Sequence, residues 1–287
     1  MELTNCRVPA LLLFPALLAA CGGGGTGGTP EPLSDAVVCG LRNCTESATL
    51  RTDEISTRFV VKPAADQASV KIQGFLGKSA NLTTTVLMAP GERLSASVDG
   101  GAETPLSNPD GKRMDYTATL PASSVQPRVT LVFLRDGIRH VNEVVLPPPF
   151  SVVQPTGTPT VARSAGNLLV RLGPDSAGAN ASPGADGRCS RSDGSGFDVK
   201  DMLLSARNEP GTVGAYRIST LDLDLALNSA SQGANNNNPN TPLVTRCDLT
   251  LTWLTASSGK TAATLNQYSV FSGNREATHT IVYDARL

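Results

Sequence analysis

The chain has 287 residues, and its 24 Lys and Arg balance 25 Asp and Glu to a formal net charge of −1. Such a body has no field to gather polyanions, which argues against nucleic-acid binding. Aromatic residues make up only 4%, with a single Trp253. A broad stacking platform for sugars or single strands is therefore not expected, although one or two rings suffice for a small one.

From Val8 to Ala20 the chain is mostly apolar and contains Pro9 and Pro15. As a helix these residues reach about 20 Å, short of the roughly 30 Å hydrocarbon core, so the segment reads as a signal-peptide core rather than a span. Its flank carries Arg7 opposed by Glu2. The segment closes on Leu18-Ala19-Ala20-Cys21, followed at once by four glycines.

This ending resembles the lipobox of bacterial lipoproteins: a branched apolar residue, two small residues and a cysteine. The resemblance implies that residues 1–20 are a cleaved leader and that Cys21 carries a thioether-linked diacylglycerol, with the new amino group acylated by a chain such as palmitate. No Asp follows Cys21, so the same resemblance implies outer-membrane residence in a Gram-negative cell, with the leaflet face left open. One acyl chain binds marginally, but two or three together anchor firmly. Residues 22–32 are Gly, Thr, Pro and little else. They read as a tether about 18 Å in end-to-end distance, inside a linking segment 21–47.

Four cysteines follow the anchor: Cys39, Cys44, Cys189 and Cys247. An even count in an oxidising compartment reads as two disulfides, with three possible connectivities. The preferred pairs are Cys39–Cys44 and Cys189–Cys247, with loop-closure contributions of about 2 and about 4 kcal/mol. The second is expected to pin a long loop to a strand. Zinc is disfavoured, because Cys189 and Cys247 are not in close pairs.

Residues 48–146 show strand signals in quick succession. Val70 and Ile72 alternate with Lys71 and Gln73, and Asp99-Gly100-Gly101 and Asp136-Gly137 supply hairpin turns. Short strands at this spacing predict an all-β, immunoglobulin-like sandwich. Lys62, Lys71 and Lys78 could form a basic stripe, but more often such lysines blunt edge strands. His140 reads as solvated strand surface. Pro147-Pro148-Pro149 marks a boundary, and residues 147–287 read as a second sandwich.

In that second segment Leu221-Asp222-Leu223-Asp224-Leu225 alternates strictly, predicting a half-buried strand with both carboxylates on one face. Residues 173–198 and 229–242 read as long loops, the latter holding Asn235-Asn236-Asn237-Asn238. Asp193, Asp198 and Asp201 on a glycine-rich stretch are weak calcium candidates without an EF-hand pattern. No cofactor is expected. Catalysis reads poorly: Ser195 lacks a nucleophile-elbow glycine, and His279 would need an Asp such as Asp198 or Asp222 and a Ser gathered in space.

The turn at Ser97 to Gly101, the Pro-rich joint before Phe150 and Cys247-Asp248-Leu249-Thr250-Leu251 resemble a group of two-domain proteobacterial lipoproteins of unknown function, which carry no activity to transfer. The expectation is a lipid-anchored, non-enzymatic binding or structural module. Its partners would be the membrane and an envelope or extracellular protein or glycan. The alternatives are a carbohydrate-active or hydrolytic enzyme on the same scaffold, or a calcium-stabilised adhesion module.

Overall fold

Alternating apolar residues build strands almost throughout the computed structural model, which describes Cys39 and residues 43–287 except 110, 112, 175–177 and 179. The lipobox, with Cys21, lies outside the described residues. In the first half the strands are β1 (Asn43–Glu46), β2 (Ile55–Pro63), β3 (Ser69–Lys78), β4 (Asn81–Leu87), β5 (Arg93–Val98), β6 (Thr104–Pro105), β7 (Tyr116–Pro121), β8 (Arg128–Arg135) and β9 (Ile138–Val145). The second half adds β10 (Ser151–Gln154), β11 (Thr160–Ala162), β12 (Asn167–Gly173), β13 (Ser182–Arg191), β14 (Gly196–Leu203), β15 (Arg207–Asn208) and β16 (Ala215–Ser219). A helix, α1 (Thr220–Ala234), precedes β17 (Val244–Ser258) and β18 (Val270–Asp284). The protein is all-β in character, with α1 packed at one side.

One ten-stranded sheet runs β1-β4-β3-β2-β18-β17-β13-β14, with β7 beside β3 and β11 beside β18. Two four-stranded sheets, β6-β5-β8-β9 and β10-β12-β16-β15, complete the fold. The first encloses a core with Phe59, Ile72, Leu94, Leu131 and Phe133; the second shares one with Leu172, Ile218, Leu249, Trp253 and Tyr283. The last strand joins the halves. Its start, Val270–Gly273, pairs in parallel with Arg58–Val61 of β2, and its end pairs with β11. Phe271 accordingly lies in the first core and Ile281 in the second. A polar seam separates the cores on the inner face of β17 and β18. There Arg275 donates from Nε to the Pro147 carbonyl and from Nη2 to the Val125 carbonyl, at 2.6 Å each.

The alternating stretch Leu221–Leu225 is helical, not a strand. The Ser219 side chain accepts from the Asp222 N–H at 3.2 Å, a helix N-cap. Burial then falls on Thr220, Leu223, Asp224, Leu227 and Ser231, the 3.6-residue period, while Leu221 and Leu225 are exposed. Five alternating residues carried a strand signal that the next two turns overrule. Asn236 and Asn237 adopt positive φ and turn the chain out of the helix, a conformation asparagine tolerates. The 229–242 loop therefore begins only after Ala234.

The 173–198 stretch is also not one long loop. It holds β13 and the start of β14, in a hairpin turned at Asp193-Gly194, with Gly194 at φ 83°. Glycine and serine masked the period there, since the inward positions are filled by Pro183, Ala185 and Cys189. Cys189 stands directly opposite Cys247 in the ladder and is disulfide-bonded to it. That bond links strand to strand inside the core rather than loop to strand. Cys39 and Cys44 form the second disulfide.

Candidate functional site

The sequence-derived catalytic groups do not converge. Both ring nitrogens of His279 are buried with no hydrogen-bond partner among the described residues, and burial pushes the imidazole pKa down. Asp222 is exposed on the first turn of α1. Asp224, two residues on, points elsewhere: its Oδ1 accepts from Tyr283 Oη at 2.5 Å and from Arg163 Nη2 at 2.9 Å. Helical geometry sets residues two apart on different faces, so the two carboxylates form no pair. Burial and the bond to Asp224 push the Tyr283 hydroxyl up to about 12. This cluster docks the helix.

The calcium candidates are spread along one hairpin. Asp193 closes its own turn, accepting from the N–H and hydroxyl of Ser195 at 3.0 and 2.7 Å. Asp198 lies 3.9 Å from Arg188, and Asp201, at φ 48°, donates its N–H to Asp186. Among the described residues no group of three His, Cys, Asp or Glu side chains is arranged for a metal.

Two first-half expectations are corrected. His140 is buried, not solvated, and its Nδ1 lies 2.7 Å from Thr264 Oγ1. The segment at Lys260–Thr264 folds over β9, where the Ala262 N–H also donates to Asn142. Lys62 and Lys71 do not protect an edge, because β18 continues the sheet beyond β2, while β4 and β7 flank β3. Lys62 instead pairs with Glu276 at 2.5 Å.

What the interior position of those strands creates is a groove of about 610 Å³ on the outer face of the ten-stranded sheet. Register explains its form. Val270, Arg58 and Phe75 line up across β18, β2 and β3, and Ser272, Val60, Gln73 and Thr117 form the next row. Arg58 and Phe75 make the first row tall, and apart from Gln73 the second is short, so a trough runs across the strands. Pro109 and Asp115 close one end and Lys71 borders the side. Arg58 lies along Phe75, its guanidinium 6.0 Å from the ring centroid, and its Nη2 donates to the Ser79 carbonyl at 3.0 Å. Lys71 is exposed and has no ion pair among the described residues. In the sequence, Lys71 and Gln73 stand as the polar half of an alternation, with Lys71 also a member of a possible basic stripe or an edge-blunting lysine. The partner strands that make their row a site come from residues 58–60, 116–117 and 270–272, which no local pattern connects.

Two other grooves, of about 250 and about 790 Å³, differ in character. The first lies where Lys62 and Gln67 meet Pro149, Phe150 and Arg275 at the junction of the halves. The other lies on the outer face of the small sheet near Arg207 and Arg217, but Glu209 neutralises Arg217 at 2.5 Å. Among the described residues no helix is long and apolar enough to cross a membrane.

No protein-family model matches the chain, and no curated protein matches it. Among solved structures, it is similar to a chimeric titin Z1Z2 functionalized with a KLER exogenous peptide from decorin. That likeness spans 79% of this chain and 97% of the other, at 13% identity and a TM-score of 0.21. At that score it carries no argument about function or detailed fold.

Proposed function

We propose that this protein is a lipid-anchored binding module of the bacterial envelope, held at the outer membrane through Cys21 and engaging its ligand on the outer sheet face. The observation that carries the binding half is the groove over β18, β2, β3 and β7, where an aromatic ring, an amide, hydroxyls and an exposed ammonium share one trough. Binding is favoured over hydrolysis because neither histidine is hydrogen-bonded to a carboxylate among the described residues. The location half is supported by the lipobox order Leu18-Ala19-Ala20-Cys21 and the glycine run behind it.

Two measurements test the two halves separately. Wild-type protein is expected to take up an alkyne-palmitate label and sediment with membranes, whereas Cys21→Ala is unlabelled and soluble. Retention of that variant in the membrane fraction overturns the anchor. For the groove, Lys71 is expected to react more slowly with an acetylating ester in intact cells than in purified protein, because ligand covers it. Equal reactivity in both settings overturns the binding reading.

A further inference from the structure

The chemistry of the groove narrows what it takes, and this step rests on the binding reading above. Strands β2 and β3 are flanked on both sides, so their backbone donors and acceptors are consumed by the ladder. An extended peptide binds a sheet by adding to a free edge, and the floor of this groove offers none. Recognition there is left to side chains. Those available are the Phe75 ring, the Gln73 amide, the hydroxyls of Thr117 and Ser272, and the Lys71 ammonium.

That set suits a ligand with an apolar C–H face and a rim of hydroxyls. An aromatic face is electron-rich and attracts polarised C–H groups, while amide and hydroxyl side chains both donate and accept. The row from Ser272 to Thr117 crosses four strands, a span of about 14 Å at roughly 4.8 Å per strand. The site is therefore long and narrow. Its charge is also unbalanced. Among the described lining residues the cations are Arg58 and Lys71 and the one carboxylate is Asp115, and the groups bonded to Arg58, the Ser56 hydroxyl and the Ser79 carbonyl, are uncharged. An anionic group on the ligand restores neutrality.

We infer that this groove binds a short linear oligosaccharide carrying carboxylates. One pyranose face lies on Phe75, hydroxyls bond Gln73, Thr117 and Ser272, and a carboxylate meets Lys71. The low aromatic content is no obstacle, because one well-placed ring serves one sugar and the strands place it.

The test is calorimetric titration of the full-length protein, purified from membranes in detergent, with tetragalacturonate, neutral chitotetraose and the peptide tetraglutamate. Tetragalacturonate is expected to bind more tightly than either comparator. Phe75→Ala should weaken it about tenfold, the loss of one aromatic contact. Lys71→Gln should weaken it about three- to fivefold and flatten its salt dependence. Both side chains lie on the outer face, so the variants keep the fold. Lys200→Ala, on β14 across the sheet, should leave affinity unchanged. Equal binding of tetraglutamate overturns the sugar assignment, and equal binding of chitotetraose overturns the acidic one. Failure of all three probes overturns the inference even where Lys71 is shielded in cells, which separates it from failure of the binding reading.

Discussion

Residues 47–50 are held by a buried ion pair, and breaking it should release that segment at a measurable cost. Arg135 at the end of β8 and Glu92 before β5 are 3.5 Å apart, with side chains only 8% and 7% exposed. Arg135 Nη2 donates to the carbonyls of Ser47 and Leu50 at 3.1 and 2.6 Å. Glu92 Oε2 accepts from the Ser47 hydroxyl at 2.5 Å and the Ala89 N–H at 2.9 Å. Together they clamp residues 47–50 against the body. Glu92→Ala leaves the guanidinium buried without its carboxylate, since Asp136, 3.4 Å away, is 81% exposed and weakly coupled. Removing one partner of a buried pair costs about 3–5 kcal/mol, and for a chain of this size that corresponds to a fall in Tm of about 6–20 °C. The double variant Glu92→Leu/Arg135→Met removes both charges and leaves chiefly the Leu50 carbonyl unpaired, so it should lose only about 1–3 kcal/mol. Urea unfolding of the Cys21→Ala protein measures both, and limited proteolysis within residues 43–54 reports local opening. A Glu92→Ala variant within 1 kcal/mol of its parent, or a double variant less stable than the single, refutes the clamp.

Three further outcomes follow from the same geometry. Replacing Cys189 and Cys247 by Ala removes a 58-residue closure, and unfolding in urea should show a loss of about 4 kcal/mol; a loss below 1 kcal/mol would show that the ladder alone constrains the chain. Asp224→Ala should cost about 2–3 kcal/mol by stranding the buried Tyr283 hydroxyl, whereas Asp222→Ala should change stability by less than about 1 kcal/mol; equal losses by thermal melting would contradict their placement on different faces. Burial holds both histidines below their ordinary pKa, and Arg135 adds to this at His140. The unfolded chain therefore takes up protons below about pH 6.5 while the folded chain resists, so stability is full above that pH and falls as pH drops toward 5. His279→Asn should flatten the decline, and an unchanged slope would remove His279 as a source.

How much was legible can be argued from particular residues. Val70, Ile72, Lys71 and Gln73 have the two-residue period, and β3 follows from it. Asp99-Gly100 and Asp136-Gly137 announce turns, and these positions do adopt positive φ. The helix at Thr220 was hidden by five alternating residues, although the Ser219 cap and the burial of Leu223 and Leu227 were available as signals. The hairpin of β13 and β14 was hidden because small residues fill its core side.

By itself, then, the sequence determined the all-β character, the sites of tight turns and the four cysteines that form two bonds. These depend on local chemistry: side-chain period, backbone freedom and the pairing of an even set of thiols. Only the tertiary structure decided that β18 crosses from one core to the other and lies beside β2. That pairing joins residues more than 200 positions apart, through hydrogen bonds and burial that no nearby spacing encodes. It turned Lys71, Gln73 and Phe75 from one face of an ordinary strand into the wall of a groove.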